Sequence, residues 1–267
     1  QPNAMGGREV GGLANQLAAH MDFSEQDIET VKTYWNSPNI AKNPGLKAVD
    51  MFNAIATGQI KAIWIMPTNP LVSMPEVNQV RKALEQCELV IVTDCVKQTD
   101  TTELADILLP ALAWGEKDGT VTNSERRISR QRAFLPSPGE AKADWWIINE
   151  VAKRMGFNDS FNYQSPDAIW REHAALTAAN NDLQRDLDLS GLKDLSKLEY
   201  NRLQPVQGPC QDNSATNKNH MFEDRRFFHP DGKARFIPVK RCDSFPKTSL
   251  EYPLVLNSGR IRDQWHT

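Results

Sequence analysis

From Lys61 to Leu109 the chain alternates short apolar runs with amphipathic stretches, and that alternation leaves few folds open. "KAIWIM" (61–66) is apolar and closed by Pro67, so it reads as a strand. "EVNQVRKALEQ" (76–86) follows with Val77, Val80 and Leu84 on one helical face. "LVIVTD" (89–94) is a second buried strand, rich in β-branched residues. "TTELADILLP" (101–110) gives a short helix or turn and a third strand, Asp106 to Leu109. Strand, helix, strand, helix, strand is the pattern of parallel strands joined by right-handed crossovers. Strands apolar along their whole length suit a sheet covered on both sides. The fold class expected is therefore α/β, a Rossmann-like parallel sheet with helices on both faces. An irregular connection and the first strand of a C-terminal β-rich domain should follow.

The flanks fill in the organisation. "REVGGLANQLAAH" (8–20) has helical spacing at Val10, Leu13, Ala14, Leu17 and Ala18. Ser24 and Asp27 form an N-cap signature before "IETVKTYW", and "GLKAVDMFNAIATGQ" is a helix ending near Gly58. "DWWIINEVAKRMGF" (144–157) is a helix closed by Gly156. "SPDAIWREHAALTAANND" (165–182) is another, with Ser165 as cap and Pro166 at its first position. From Asp182 to Asp224 the chain is polar and poorly periodic, and "KARFIPV" and "YPLVLNSG" read as short strands that restart order. The expected division is 1–157 for the α/β region, 158–250 for a helical and irregular connection, and 251–267 for the start of a truncated further domain.

Composition narrows the classes. A hydrophobic content of 40% with seven tryptophans supports a real core, and a net charge of −3 argues against general nucleic-acid binding. No apolar run reaches the roughly 18 residues that a membrane span needs, and no secretory signal opens the chain. Cys87, Cys95, Cys210 and Cys242 show no C-x-x-C spacing. Free thiols in a reducing, cytoplasmic setting are therefore expected rather than a metal site built by this chain. Gln1 at the start and Thr267 inside a motif lead us to expect an excerpt of a longer protein, inactive alone, with no catalytic acid or base of its own.

In an open α/β sheet, ligands bind outside the carboxyl ends of the strands. Three stretches reach that edge. The first strand runs into "PTNPLVSMP" and presents Asn69, the second ends at Thr93 and Asp94, and the third leads to Lys117 and Gly119. Asn69 before Pro70 also makes sense as a turn, Asp94 as a helix cap, and Lys117 as a solvated side chain. Together they offer an amide, a strand-end carboxylate and an ammonium. A carboxylate accepts from ribose hydroxyls or a guanine edge, and lysine pairs with phosphate. Gly119 would permit close backbone approach. Neither a GxGxxG nor a Walker motif is present, so the ordinary NAD and ATP fingerprints are missing. Glu125, Arg126 and Arg127 read better as a structural ion-pair cluster than as part of a ligand rim.

"QPNAMGGREVGGLAN", "MPTNPLVSMP", "VTD", "ADILLPALAWGEKDGTVTNSERR", "PGEAKADWWI" and "SGRIRDQWHT" stand in that order. The set resembles the molybdopterin-guanine-dinucleotide oxidoreductases over nearly the whole chain, least from about Asn158 to Asn201. "SGR" followed by "DQWHT" points within that family to the assimilatory nitrate reductases, while formate dehydrogenases share much of the rest. The resemblance implies a molybdenum ion held by two molybdopterin guanine dinucleotides, nitrate reduced to nitrite, and an electron-donor protein or domain. It implies dinucleotide contacts at Asn69, Thr93, Asp94, Lys117 and Asp144. A second group falls at Ser258, Gly259, Arg260, Trp265, His266 and Thr267. The [4Fe–4S] cluster and the molybdenum ligand of such enzymes would lie outside this chain. Gly208, in "LQPVQGPC", stands where relatives usually carry Trp, which implies a less packed connection there. A non-catalytic nucleotide-binding or scaffold module is the alternative from another class.

Overall fold

The computed structural model describes residues 3–182, 184–211, 221–229, 231–240 and 247–256. The chain forms two compact units, one of Pro2–Asn217 and one of Lys218–Thr267 together with Gln1.

Strands β1 (Ala62–Ile65), β2 (Leu89–Asp94) and β3 (Ile107–Pro110) pair in that order, all parallel. The register sets Ile63 beside Val90 and Ile65 beside Val92, with Leu108 next to Val92. These side chains point to one face and meet Phe52 and Ile55 of α3 (Ala48–Ala56) and Val80, Ala83 and Leu84 of α5 (Val77–Gln86). Val77 was expected on that buried face but is 38% exposed. The opposite face holds Trp64, Leu89 and Ile91, each half-buried, and Ile107, 44% exposed. It is less covered than the two-sided packing its apolar strands lead one to expect. A short helix, α4 (Pro70–Ser73), sits between β1 and α5 and buries Leu71 in the same core.

A second core lies apart from the sheet. It gathers Val31 of α2 (Glu25–Tyr34), Trp170, Ala174 and Leu176 of α7 (Pro166–Ala178), and Tyr200 of α8 (Lys197–Arg202). Leu187 and Leu189 complete it at 0% and 1% exposure, although they come from the polar, aperiodic stretch after Asp182. An antiparallel sheet of β4 (Gly119–Thr122), β5 (Arg127–Gln131) and β6 (Val206–Gln207) adds Ile128 to this core. Gly208 is buried here, and a methyl group at its Cα would make only ordinary contacts with Leu189, the Arg126 carbonyl and Ile128.

The capping signals resolve unevenly. Ser24 Oγ accepts from Asp27 N at 3.2 Å, as its spacing predicts. Ser165 does not cap α7; its hydroxyl donates to Asp167 Oδ1 at 2.5 Å, and Pro166 alone marks the start. The helix expected over 8–20 is broken. α1 covers Ala4–Glu9, and only a 3₁₀ turn, Ala18–His20, follows. Gly11 explains the break, since it sits at φ +98° with the Ala18 backbone where a Cβ would be. α6 spans Asp144–Arg154 and ends at Gly156, φ +95°.

In the second unit no strand forms among the described residues. The apolar residues of "KARFIPV" and "YPLVLNSG" have no ladder partner there. Phe236, Val239 and Leu256 are 95%, 91% and 96% exposed, so the short strands expected there do not form among the described residues.

His173 of α7 is pushed down to about 4, first by burial and then by the neighbouring His20. It is therefore neutral in the fold, while its unfolded counterpart titrates near 6.5. The folded value lies below the unfolded one, so this contribution is complete above pH 6.5 and is lost as pH falls toward 4. The shift corresponds to about 3 kcal/mol at full extent. Urea unfolding at pH 7 and pH 4.5 should show a larger acid-linked loss for the native protein than for His173→Gln. Equal losses would contradict it.

Candidate functional site

The carboxyl ends of β1, β2 and β3 define one edge, and the parallel topology brings the loops carrying Asn69, Asp94 and Lys117 to it. A fourth segment joins them. Lys142 N donates to Pro110 O at 3.1 Å and Leu112 N donates to Lys142 O at 3.0 Å, a parallel bridge that continues the sheet beyond β3. Two residues later Asp144 opens α6, so it too stands at this edge.

Asn69 does make a turn, as the plainer reading had it, but with its backbone. Its carbonyl accepts from Val72 N and Ser73 N, both at 3.0 Å. Its side chain caps nothing. Oδ1 accepts from Thr101 Oγ1 at 2.6 Å, and the fully buried Thr101 hydroxyl accepts in turn from Leu71 N at 3.3 Å. The amide plane is thus fixed, and Nδ2 has no partner among the described residues.

Asp94 caps no helix. Oδ1 accepts from Val96 N at 2.9 Å, a local turn that holds the loop, and Ala111 N donates to its backbone carbonyl at 3.0 Å. The carboxylate is half-buried and also hydrogen-bonds with the Cys95 thiol. Thr93 is different. At 1% exposure it lies beneath the edge, where its hydroxyl accepts from Trp64 Nε1 at 2.7 Å. Its side chain supports the strand end and does not face outward.

Lys117 is not simply solvated. Its Nζ donates to Asp144 Oδ2 at 2.7 Å, and both side chains are 26% exposed. Asp144 Oδ1 is buried without any hydrogen-bond partner among the described residues. A carboxylate oxygen left so is costly, of order 1–3 kcal/mol or more, unless something donates to it. Cys95, which sequence reasoning passed over, is an exposed thiol whose titration is raised by burial and by Asp94 and lowered by Lys117. That electrostatic coupling places Asp94, Cys95 and Lys117 near one another. Asp94 and Asp144 bring carboxylates to this edge, and Lys117 and Lys142 lie on the segments that reach it.

Gly119 begins β4 with open space where a Cβ would stand, so no packing requires a glycine there. Beyond it the chain forms a hairpin of β4 and β5. Asn123 Oδ1 accepts from Glu125 N at 3.1 Å and Arg127 N at 2.9 Å, closing a turn in which Arg126 takes a left-handed φ of +64°. Arg126 Nε donates to Glu9 Oε1 at 2.9 Å, and its Nη1 to Asp186 Oδ2 at 3.3 Å. Asp186 Oδ1 lies 2.5 Å from His20 Nδ1. Arg127 pairs with Glu125 at 3.5 Å on the surface. The triplet is a structural ion-pair cluster that ties the hairpin tip to α1. Ser258, Gly259, Arg260, Trp265, His266 and Thr267 lie outside the described residues.

Among the described residues no cluster of His, Cys, Asp and Glu could hold a metal ion, and no helix is long and apolar enough to cross a membrane.

Comparison with known proteins adds ancestry to this geometry. The chain is 53% identical to a nitrate reductase of Klebsiella oxytoca over 267 residues, all of this chain and 30% of that protein. It is 47% identical to a nitrate reductase of Shewanella frigidimarina, covering 29% of it. An F420-dependent formate dehydrogenase subunit alpha of Methanocaldococcus jannaschii is 32% identical and covered over 37%. The chain therefore spans about 30% of the length of the first two relatives. Acetylene hydratase from Pelobacter acetylenicus shares the fold with a TM-score of 0.52 at 21% identity, over 72% of this chain and 24% of that one. Residues 3–154, which hold the parallel sheet and all four segments of its carboxyl edge, match the molybdopterin oxidoreductase model, and the chain belongs to that family.

Proposed function

We propose that this chain is part of a molybdenum oxidoreductase that reduces nitrate to nitrite, and that the carboxyl edge of its sheet holds the guanosine end of a molybdopterin guanine dinucleotide. The observation that carries the binding role is the convergence of Asn69, Asp94, Lys117 and Asp144 on one edge. The donor set fits. Asp144 Oδ1 is buried and lacks a donor among the described residues, Asp94 presents a half-buried carboxylate, and the Asn69 amide is held in one orientation by Thr101. A guanine edge and ribose hydroxyls supply donors to carboxylates such as Asp94 and Asp144.

The residues then divide the work. Asp94 and Asp144 accept from the base or sugar. Lys117 orients Asp144 through its ammonium. Asn69 donates through Nδ2, and Thr93 braces the end of β2 from below. The cofactor supplies the oxygen-atom and two-electron chemistry, and the protein supplies binding and orientation. The remaining contacts are assigned to Ser258, Gly259, Arg260, Trp265, His266 and Thr267. The [4Fe–4S] cluster and molybdenum ligand are assigned to the longer protein, as is the docking of an electron-donor protein or domain. Residues 1–157 serve as the dinucleotide-binding region, 158–250 as the connection and 251–267 as entry to a further domain. The free thiols of Cys87, Cys95 and Cys210 agree with a reducing cytoplasmic setting.

Nitrate as substrate rests on the names of the relatives most similar in sequence. Turnover by the full-length protein tests it. Nitrate-dependent oxidation of a reduced dye is expected, with no formate-dependent dye reduction. Formate oxidation without nitrate turnover would place the protein with the formate dehydrogenases. A purified full-length protein that carries neither molybdenum nor guanine would make it a scaffold module instead.

A further inference from the structure

The second core contains a small cavity away from the sheet edge. Its volume is about 50 Å³, and its wall takes residues from three elements: Glu9 of α1, Thr120 and Thr122 of β4, and Trp170 and His173 of α7. Ile128 and Leu189 close the apolar side. Trp170 is 6% exposed, and its indole N–H is buried with no hydrogen-bond partner among the described residues. Native interiors rarely leave such a donor unmet, because the desolvated N–H forfeits a bond it would make in water.

We infer that this cavity is a binding site for internal water, which accepts from Trp170 Nε1 and donates to acceptors on α1, β4 or α7. The chemistry of the wall selects the ligand. The Trp170 N–H is a donor only and repels a cation. Glu9 is an acceptor only and repels an anion; its Oε1 already accepts from Arg126 Nε at 2.9 Å, so the pair is close to neutral. The occupant must therefore accept at one side, donate at another and carry no charge. His173, neutral in the fold, offers one donor and one acceptor and so meets water in either orientation. A buried water makes about three such bonds and needs about 10–15 Å³ of such space, so this cavity has room for at least one molecule. The water joins three elements that share no backbone ladder at this point, α1, the β4–β5 hairpin and α7.

The test is a crystal structure of the full-length protein at a resolution that shows ordered water, for the native sequence and for Trp170→Phe. The native map should show a water about 3 Å from Trp170 Nε1 and within the same distance of at least one of Glu9, Thr120, Thr122 and His173. In Trp170→Phe that water should be lost or displaced. A dry cavity in the native protein would overturn the inference. So would a side chain from another part of the chain filling it, or a water that keeps its place in Trp170→Phe. The native map alone decides if the variant does not fold.

Discussion

Asp94→Ala in the full-length enzyme should lower retention of the guanine dinucleotide at least about tenfold. Hydrogen bonds to a charged group contribute about 1.5–3 kcal/mol each, and about 1.4 kcal/mol is a factor of ten. Asp94 closes an apolar strand, so its carboxylate is held by β2 rather than by a loose loop. Two roles must be separated, because Oδ1 already holds the turn at Val96 N. Asp94→Asn separates them. It keeps an acceptor for Val96 N, and it replaces the outward oxygen with an amide that faces the ligand's donors. If Asp94 only shapes the loop, Asn should be silent. If it binds guanosine, Asn should still lose cofactor, though less than Ala. Molybdenum and guanine content measured beside nitrate turnover decides this. Activity per bound molybdenum should stay constant across the three proteins, since Asp94 holds the cofactor and does not act on nitrate.

Arg126→Met should cost about 3–5 kcal/mol of stability, the loss usual when one partner of a buried ion pair is removed. Glu9, with its side chain 4% exposed, would be left charged in the interior without its cation. Asp186 is 32% exposed and loses less. Against a typical total of about 5–15 kcal/mol this is a large share. The cost comes from the stranded carboxylate, so Glu9→Gln combined with Arg126→Met should recover part of it. Urea midpoints of the native protein, both single variants and the double variant give the coupling. A single Arg126→Met variant unfolding at the native midpoint would show that Glu9 finds another partner or is solvated.

These two residues mark how far the sequence can be read. β2 was legible to the residue, Leu89 to Asp94, because an apolar β-branched run bounded by polar residues has one plausible shape. β1 and β3 shift by only a residue at each end for the same reason. Parallel order follows from the alternation with helices, and the edge follows from the order. Hence Asn69, Asp94 and Lys117 could be assigned to one edge before any coordinates. What could not be read is pairing across distance. Nothing in the sequence joins Lys117 to Asp144, Asn69 to Thr101, or Arg126 to Glu9. Thr93 shows the opposite failure. A strand end supplies both outward and inward side chains, and whether the last threonine faces the crevice or the Trp64 indole depends on packing. The second core was missed because Leu187 and Leu189 lie in a polar stretch with no period, where burial comes from tertiary contact alone.

The central claim is that the carboxyl edge of β1, β2 and β3 receives the guanosine end of the cofactor. The structure of the full-length enzyme with its molybdenum cofactor bound tests it most directly. The account predicts guanine or ribose atoms within hydrogen-bond distance of Asp94 and Asp144, with Lys117 still paired to Asp144. A cofactor bound with no atom near Asp94 or Asp144, or with its pyrophosphate lying on those two carboxylates, would contradict it.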